Sequence, residues 1–199
     1  MKNSICMILG LLFWTGVCGA AEDANTPDVI LKTHMDAVFK VLQNKDLSPD
    51  QRDEQITKIV TPMFDFQIMA KLALGKKHLG KFNQEQFNRF TELFVQHLKN
   101  SYRDKLTLYT DEEVVYKKAI VGKSTMQIPT ELIGSERKVE VLYKFRQKNK
   151  LWKIYDVEIE GVSIIKTYIS QFDEVLKKGT VTDLLEDLAK SVEPQSTQS

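Results

Sequence analysis

Residues 151–163 read LWKIYDVEIEGVS and predict a strand that runs directly into a helix. Aromatic and β-branched residues fill this stretch, and they favour a pleated, half-buried surface. Acids at Asp156 and Glu158 alternate with Val157 and Ile159, which is the period of a strand with one solvated face. Beyond this stretch the apolar residues change to helical spacing, so we expect a helix that folds back over the sheet.

The first 20 residues are predicted to be a secretory signal peptide. Lys2 is followed by a short apolar run and then by small residues up to Ala20, which is the order of a cleavable export signal. A lipoprotein processed at Cys18 is the alternative, although the residues before it match a lipobox poorly. We therefore expect an exported protein with a single domain at 21–190 and a polar, disordered tail at 191–199.

Composition limits what the exported chain can be. Both cysteines, Cys6 and Cys18, lie in the predicted signal, so the domain has no disulfide and relies on its own packing. The sequence has 28 basic and 27 acidic residues, and removal of Lys2 leaves the exported chain formally neutral. Such a chain lacks the excess positive charge of a nucleic-acid-binding protein.

Proline and capping residues predict the starts of three N-terminal helices, at Thr26-Pro27, Ser48-Pro49 and Thr61-Pro62. The third is predicted to stop at Gly75. A longer helix opens at Asn83, and one face of it carries Phe87, Phe90, Phe94, Leu98 and Tyr102. From the residues alone, ordinary core packing explains this aromatic stripe better than a ligand site does.

From Glu113 onwards the apolar period changes to two, and four strands are predicted with short links between them. Pro129 falls in the second strand, which predicts an edge strand or a bulge. Helices at 163–177 and 180–190 close the chain. The order of helices, strands and helices predicts an α+β fold with helices on one face of a four-stranded, antiparallel, curved sheet.

Candidate catalytic groups are few. The histidines His34, His78 and His97 are far apart in sequence and lack metal-ligand spacing. Asp65 stands between two phenylalanines and suits a general base, but a helix-capping acid explains it more simply. The acids of the 151–163 stretch fit a solvated sheet face. The sequence therefore predicts no enzyme, no metal and no cofactor.

A run of basic residues surrounds the predicted hairpin between the last two strands. No acid occurs between Leu142 and Tyr155, whereas five cations do: Lys144, Arg146, Lys148, Lys150 and Lys153. One interpretation is a solvated loop. The other is a docking patch for anionic headgroups or for an acidic partner.

Several spaced motifs resemble the MlaC family of periplasmic phospholipid-binding proteins, also known as toluene-tolerance auxiliary proteins. They are Phe64-Asp65-Phe66, Met69-Ala70-x-x-Ala73-Leu74-Gly75, Gln86-x-x-x-Phe90-x-x-x-Phe94, Ser101-Tyr102, the run Trp152–Ser163, and Tyr168-x-x-Gln171-Phe172. The resemblance extends from about residue 29 to about residue 188. Two positions depart from it: His78 stands where the family often has Trp, and Ile169 stands where it often has Arg.

The resemblance implies an NTF2-like, cone-shaped fold that encloses an apolar pocket for acyl tails. It implies a soluble periplasmic carrier that moves phospholipid between the inner and outer membranes and maintains outer-membrane lipid asymmetry. Its partners would be phospholipid, an inner-membrane ABC transporter with a substrate-binding subunit, an outer-membrane lipoprotein–porin complex and, transiently, a membrane surface. The expected lining is Phe66, Met69, Phe90, Phe94, Leu98, Tyr102, Val141, Tyr143, Ile154, Val157, Ile165, Tyr168 and Phe172.

Two functions from other classes remain open at this point. The first is a periplasmic chaperone for apolar polypeptide, which needs a broad exposed apolar surface. The second is an NTF2-like enzyme on an apolar small molecule, with Asp65 or Asp156 as base and Tyr102 or Tyr143 as proton donor.

Overall fold

Strands and helices follow one another in the predicted order. The structure, a computed structural model, describes residues 25–106, 113–135 and 137–193; the predicted signal peptide and the end of the predicted tail lie outside them. The helices are α1 Pro27–Gln43, α2 Pro49–Val60, a 3₁₀ helix Thr61–Met63, α3 Phe66–Leu79, α4 Gln84–Leu106, α5 Ile164–Lys178 and α6 Val181–Val192. The strands are β1 Glu113–Tyr116, β2 Ile120–Val121, β3 Thr125–Ile133, β4 Lys138–Lys148, β5 Leu151–Ile159 and β6 Val162–Ser163.

Most of the helix starts are confirmed, although Thr26 at the start of α1 makes no capping side-chain hydrogen bond. Ser48 and Gln51 form a reciprocal capping box at the start of α2. Ser163 caps α5 and Thr180 caps α6, so the stretch 151–163 does lead from a strand into a helix. The helix α6 continues to Val192, two residues beyond the predicted end of the domain.

The third predicted helix is wrong at its start, whereas its predicted stop at Gly75 is a break in the helix. Thr61-Pro62 opens only a 3₁₀ turn, because Phe64 is extended and forms a parallel bridge with Ile154 of β5. The helix α3 begins afterwards, at Phe66. Gly75, the predicted stop, adopts a left-handed φ of 65° and kinks α3, which then resumes as far as Leu79.

The sheet is antiparallel in the order β1-β3-β4-β5-β6, and β2 also pairs with β3. The α+β prediction is therefore confirmed, but the described residues contain six strands instead of four. The predicted first strand is split into β1 and β2, and β6 follows the turn at Gly161. Strands of two residues are too short for a period-two pattern to reveal.

Pro129 does not mark an edge strand, because β3 pairs on both sides. The carbonyl of Pro129 accepts a hydrogen bond from the Lys117 N–H at 2.9 Å. In an antiparallel strand the nitrogen of a residue points to the same side as its carbonyl. The missing N–H of Pro129 thus faces Lys117, so the return bond of this pair is absent where the β1–β3 ladder ends, and the register shifts by one residue before β2.

The β4–β5 hairpin closes tightly, as predicted for residues 147–150. Asn149 and Lys150 both have positive φ, 52° and 64°, as the central residues of a type I′ turn require. Farther along this hairpin, Lys144 pairs with Asp156 but Phe145 pairs with Ile154. The resulting bulge leaves Tyr155 without an opposite residue and shifts the alternation of β5.

The buried apolar residues form two main clusters. The helical cluster joins α3, α4, α5 and α6. The sheet cluster joins one face of β3, β4 and β5 to Leu31 of α1 and Met63. No helix in the described part of the chain has both the length and the hydropathy that crossing a bilayer requires.

Candidate functional site

The thirteen residues predicted to line a lipid pocket divide between the two clusters. Nine belong to the helical cluster or pack against it: Phe66, Met69, Phe90, Phe94, Leu98, Tyr102, Ile165, Tyr168 and Phe172. Four belong to the sheet cluster or pack against it: Val141, Tyr143, Ile154 and Val157. Phe64 and Ile164 contact both clusters. That all thirteen line one pocket stays a prediction.

The helical cluster is a closed aromatic core. Phe90 and Phe94 have no exposed surface, and their rings stack with centroids 5.6 Å apart. Phe172 meets both rings edge-on at 5.3 and 5.5 Å, and Tyr168 meets Phe94 at 5.0 Å. Burial raises the pKa of Tyr168, although a hydrogen bond with Ser101 opposes the shift. These rings already fill their packing contacts with one another, as side chains in a protein interior do.

The sheet cluster has an open apolar border instead. Half-buried side chains surround its buried centre on two facing elements. On α1 these are Ile30, Met35 and Phe39, and on the sheet they are Val114, Tyr116, Met126, Val139, Tyr143 and Ile159. The facing pair Tyr143 and Met35 touch, since the tyrosine hydroxyl donates to the methionine sulfur at 3.8 Å. Both α1 and the sheet thus present half-buried apolar side chains to each other along this border.

The α1 residues of this border were not among the predicted lining. The stripe of Ile30, Met35 and Phe39 is visible in the sequence, but its spacing does not say which face of the sheet it covers. The helix α1 also lies near Tyr116 of the first strand, β1. Burial, with the nearby charge of Asp36 on α1, raises the pKa of Tyr116 to about 12. Tyr116 therefore stays neutral at any ordinary pH and adds a half-buried, uncharged surface.

The other face of the sheet carries a groove of about 380 Å³ with a different character. Its lining includes three glutamates and a lysine beside a few apolar groups: Lys117, Ile120, Pro129, Glu131, Glu140, Leu142 and Glu158. Glu131 forms ion pairs with Lys117 at 2.8 Å and with Lys138 at 2.6 Å. The carboxylates and the lysine of this groove suit polar contacts, and burying them under an acyl chain would be costly.

Asp156 does not lie on a solvated face, contrary to the sequence interpretation. It is buried, and its carboxylate accepts hydrogen bonds from the Ser163 hydroxyl at 2.8 Å and from the Ile165 N–H at 3.2 Å. Lys144 bridges Asp156 at 3.0 Å and Glu158 at 2.7 Å. The group ties the first turn of α5 to β4 and β5, which is where the helical and sheet clusters meet.

Lys144 is therefore not part of a free basic hairpin. Burial opposes its charge, but the hydrogen bonds that Lys144 donates to Glu158 and Asp156 outweigh that effect and raise the pKa of Lys144. Lys153, at the same hairpin, donates to the carbonyl of Pro62. Of the five predicted patch cations, Arg146, Lys148 and Lys150 remain exposed and form no ion pair with any described residue.

His78 is a buried core residue held by an acid from another helix. Its Nε2 lies 2.8 Å from a carboxylate oxygen of Asp173 on α5, and Lys77 and Lys177 bond the same carboxylate. Hydrogen bonds from Lys177, Lys77 and His78 hold the pKa of Asp173 well below its usual range. The described residues contain no cluster of His, Cys, Asp and Glu able to hold a metal ion.

Asp65 has a structural use as well. It is the N-cap of α3, and its carboxylate accepts the Ile68 N–H at 3.0 Å. Its own N–H donates to the Ile154 carbonyl at 2.9 Å, which fastens this cap to β5. Both carboxylates considered as bases, Asp65 and Asp156, are thus occupied by backbone or lysine partners.

Two substitutions at Asp65 separate capping from catalysis. Asp65→Ala is expected to lower the free energy of unfolding by about 1 kcal/mol, because an N-cap acceptor is lost. Asp65→Asn is expected to leave it nearly unchanged, because asparagine caps equally well. Chemical denaturation of both variants measures the difference. Equal losses in the two variants would contradict a capping role, and a turnover that Asp65→Asn abolishes would return the enzyme alternative.

Taken together, the sheet and α1 define a class of protein: an α+β domain that offers a half-buried apolar surface beside a closed helical core. A family model described as MlaC protein matches residues 32–190. The chain belongs to the MlaC family, and the resemblance drawn from its motifs is confirmed.

Individual relatives agree with this placement. The toluene tolerance protein ttg2D of Pseudomonas putida is 25% identical over 162 residues, covering 78% of this chain and 75% of that protein. The intermembrane phospholipid transport system binding protein MlaC of Haemophilus influenzae is 22% identical over 176 residues, covering 83% and 82%. A phospholipid-binding protein of Ralstonia solanacearum, solved in complex with a phospholipid, shares the fold with a TM-score of 0.74 at 22% identity, covering 82% of this chain and 94% of that one.

Proposed function

We propose that the protein binds a phospholipid and carries it between membranes as a non-enzymatic transport protein. The acyl tails lie against the border between α1 and the sheet, and the headgroup stays in water. The observation that carries this proposal is the pair of facing, half-buried apolar surfaces on α1 and on β1, β3, β4 and β5. Family membership supports it, as do the phospholipid ligands and transport named for the relatives.

The energetics of a lipid in water explain why a carrier needs such a surface. Each exposed CH₂ of an acyl chain costs about 0.8 kcal/mol, which amounts to tens of kcal/mol for two chains. A carrier offsets this cost by covering the chains with apolar side chains, and it needs few polar contacts to do so. Movement between a bilayer and the protein is then nearly neutral in free energy, because both environments are apolar.

The proposal extends to place and partners. An exported chain with its predicted signal at 1–20 would act in the periplasm, between an inner-membrane ABC transporter with its substrate-binding subunit and an outer-membrane lipoprotein–porin complex. That setting would let the protein contribute to outer-membrane lipid asymmetry. The helical cluster, which is packed against itself, would serve as the rigid support of the sheet.

A transfer assay tests the carrying step. Donor vesicles hold a self-quenched fluorescent phospholipid, acceptor vesicles hold none, and the purified protein is added to the mixture. We expect dequenching to speed up in proportion to the protein concentration, because each molecule can take a lipid through water. Protein unfolded by heat serves as the control. A rate equal to the spontaneous exchange, from a folded sample, would contradict the proposal.

A further inference from the structure

One end of the sheet gathers cations from two separate turns. The Gln147 N–H at the β4–β5 hairpin donates to the Ser124 carbonyl in the β2–β3 turn at 2.9 Å. This bond holds the two turns side by side and adds Lys123 to the exposed cations of the hairpin. The sequence run around the hairpin does not reveal Lys123, because more than 20 residues separate it from Arg146.

The strand segments that carry these cations contain no acid of their own. The segments from Val114 to Thr130 and from Val141 to Tyr155 contain no Asp or Glu. Lysines nearer the other end of the same sheet are paired, as Lys138 is with Glu131. By contrast, Lys123, Arg146, Lys148 and Lys150 form no ion pair with any residue that the structure describes. The sheet is therefore polarised, with acids at one end and unpaired cations at the other.

The register places like charges against each other at this end. Arg146 lies directly opposite Lys153 on the neighbouring strand, and like charges in that position destabilise a sheet. Lys153 is partly relieved by the carbonyl of Pro62, but Arg146 has no such partner among the described residues. An anion that approached this end would remove the repulsion.

An apolar side chain projects among the cations. Leu151 is 55% exposed and stands directly opposite Lys148 in the hairpin. Val121, one residue before the β2–β3 turn, is 70% exposed. Cations around exposed apolar side chains match the interface of an anionic bilayer, where headgroups meet the charges and the apolar groups enter the acyl boundary. An acidic protein would neutralise the cations, but its charges would not account for the exposed apolar side chains of Leu151 and Val121.

We propose that this basic end of the sheet, formed by Lys123, Arg146, Lys148, Lys150 and Leu151, docks on the surface of an anionic lipid bilayer. The proposal goes beyond lipid carriage, because binding to a bilayer surface is separate from holding a lipid. Each Lys or Arg near an anionic surface contributes about 1 kcal/mol, or roughly fivefold in partitioning. The attraction is screened within about 10 Å at 0.1 M salt.

Vesicle flotation with the full chain tests this proposal. The vesicles contain phosphatidylglycerol and phosphatidylcholine, or phosphatidylcholine alone. The triple variant Arg146→Gln/Lys148→Gln/Lys150→Gln is expected to bind the anionic vesicles roughly a hundredfold less than the unchanged protein. Leu151→Ser is expected to bind severalfold less, and 1 M salt to release the protein.

A matched variant removes the same charge elsewhere. Lys40→Gln/Lys99→Gln/Lys190→Gln changes three exposed lysines on three helices, and its binding should stay within twofold of the unchanged protein. The N-terminal segment is common to all samples, so it cannot produce a difference between them. Equal loss in both triple variants, or equal binding to neutral and anionic vesicles, would overturn the proposal.

Two further readouts keep the result interpretable. If the triple variant fails to fold, the single variants Lys148→Gln and Lys150→Gln should each lose roughly fivefold, and no loss in either would overturn the docking site. Lipid held per chain, measured on the same samples, should not change. Normal vesicle binding without any bound lipid would leave docking intact and count against carriage, whereas bound lipid without vesicle binding would do the reverse.

Discussion

Replacing Lys144 with methionine is expected to lower the free energy of unfolding by about 3–5 kcal/mol, because it breaks a buried ion pair and leaves a carboxylate without its cation. The side chains of Lys144 and Asp156 are only 14% and 8% exposed. Once the lysine is gone, Asp156 keeps the Ser163 hydroxyl and the Ile165 N–H, which do not neutralise a full charge. The lost stability would concern the junction between α5 and the sheet, where the two clusters meet.

Urea denaturation measures this loss, and the same strand offers a control. Lys138→Met removes an exposed lysine that pairs with Glu131 and Glu140, and it should cost no more than about 1 kcal/mol. Adding Asp156→Asn to Lys144→Met should recover part of the loss, because asparagine is neutral and still accepts a hydrogen bond. Equal effects of Lys144→Met and Lys138→Met would show that the buried pair does not stabilise the fold.

The raised pKa of Lys144 also fixes the pH range in which this stabilisation acts. A lysine whose pKa is higher in the folded state stabilises the fold fully below its unfolded value, near 10.5. The stabilisation is lost as the pH rises through the higher, folded value. Comparison of the unchanged protein with Lys144→Met at pH 7 should therefore report the whole effect.

The second large effect concerns the lipid itself. Met35→Glu places a carboxylate between α1 and the sheet, opposite Tyr143 and against the surface proposed to cover the acyl tails. We expect at least about tenfold less lipid per purified chain, since a penalty of roughly 1.4 kcal/mol already lowers affinity tenfold, and an unpaired charge against hydrocarbon costs more than that. Met35 is half-buried, so the fold should survive the change.

Leu72→Glu is the matched control for this variant. Leu72 is an apolar residue on the outside of α3 with 39% of its surface exposed, so a carboxylate there remains in water. We expect the lipid content of Leu72→Glu to equal that of the unchanged protein. Full lipid content in a folded Met35→Glu variant would contradict the α1–sheet site and direct attention back to the helical group around Leu98 and Phe94.

Local signals in the sequence predicted much of the fold. The caps at Ser48 and Thr180 lie where the residue types require them, because capping depends on a few neighbouring residues. The antiparallel meander followed from alternation in the same way. The burial of Asp156 could not be predicted, since it depends on the bulge at Tyr155 and on a lysine from another strand.

The candidate site was harder to predict for a related reason. The periodicity of α4 shows that Phe90 and Phe94 share a face, but it does not show whether that face meets other helices or the sheet. The structure packs them against Phe172, and α1 covers the sheet instead. Which helix covers which face is a long-range property, set by connections and register, and single-chain patterns carry little information about it.

Organic extraction of the purified protein, followed by mass spectrometry of the extract, tests whether this chain holds a phospholipid. We expect a diacyl phospholipid near one molecule per chain, retained in Leu72→Glu and strongly reduced in Met35→Glu. An extract without lipid from folded protein, repeated after incubation with phospholipid vesicles, would contradict this expectation.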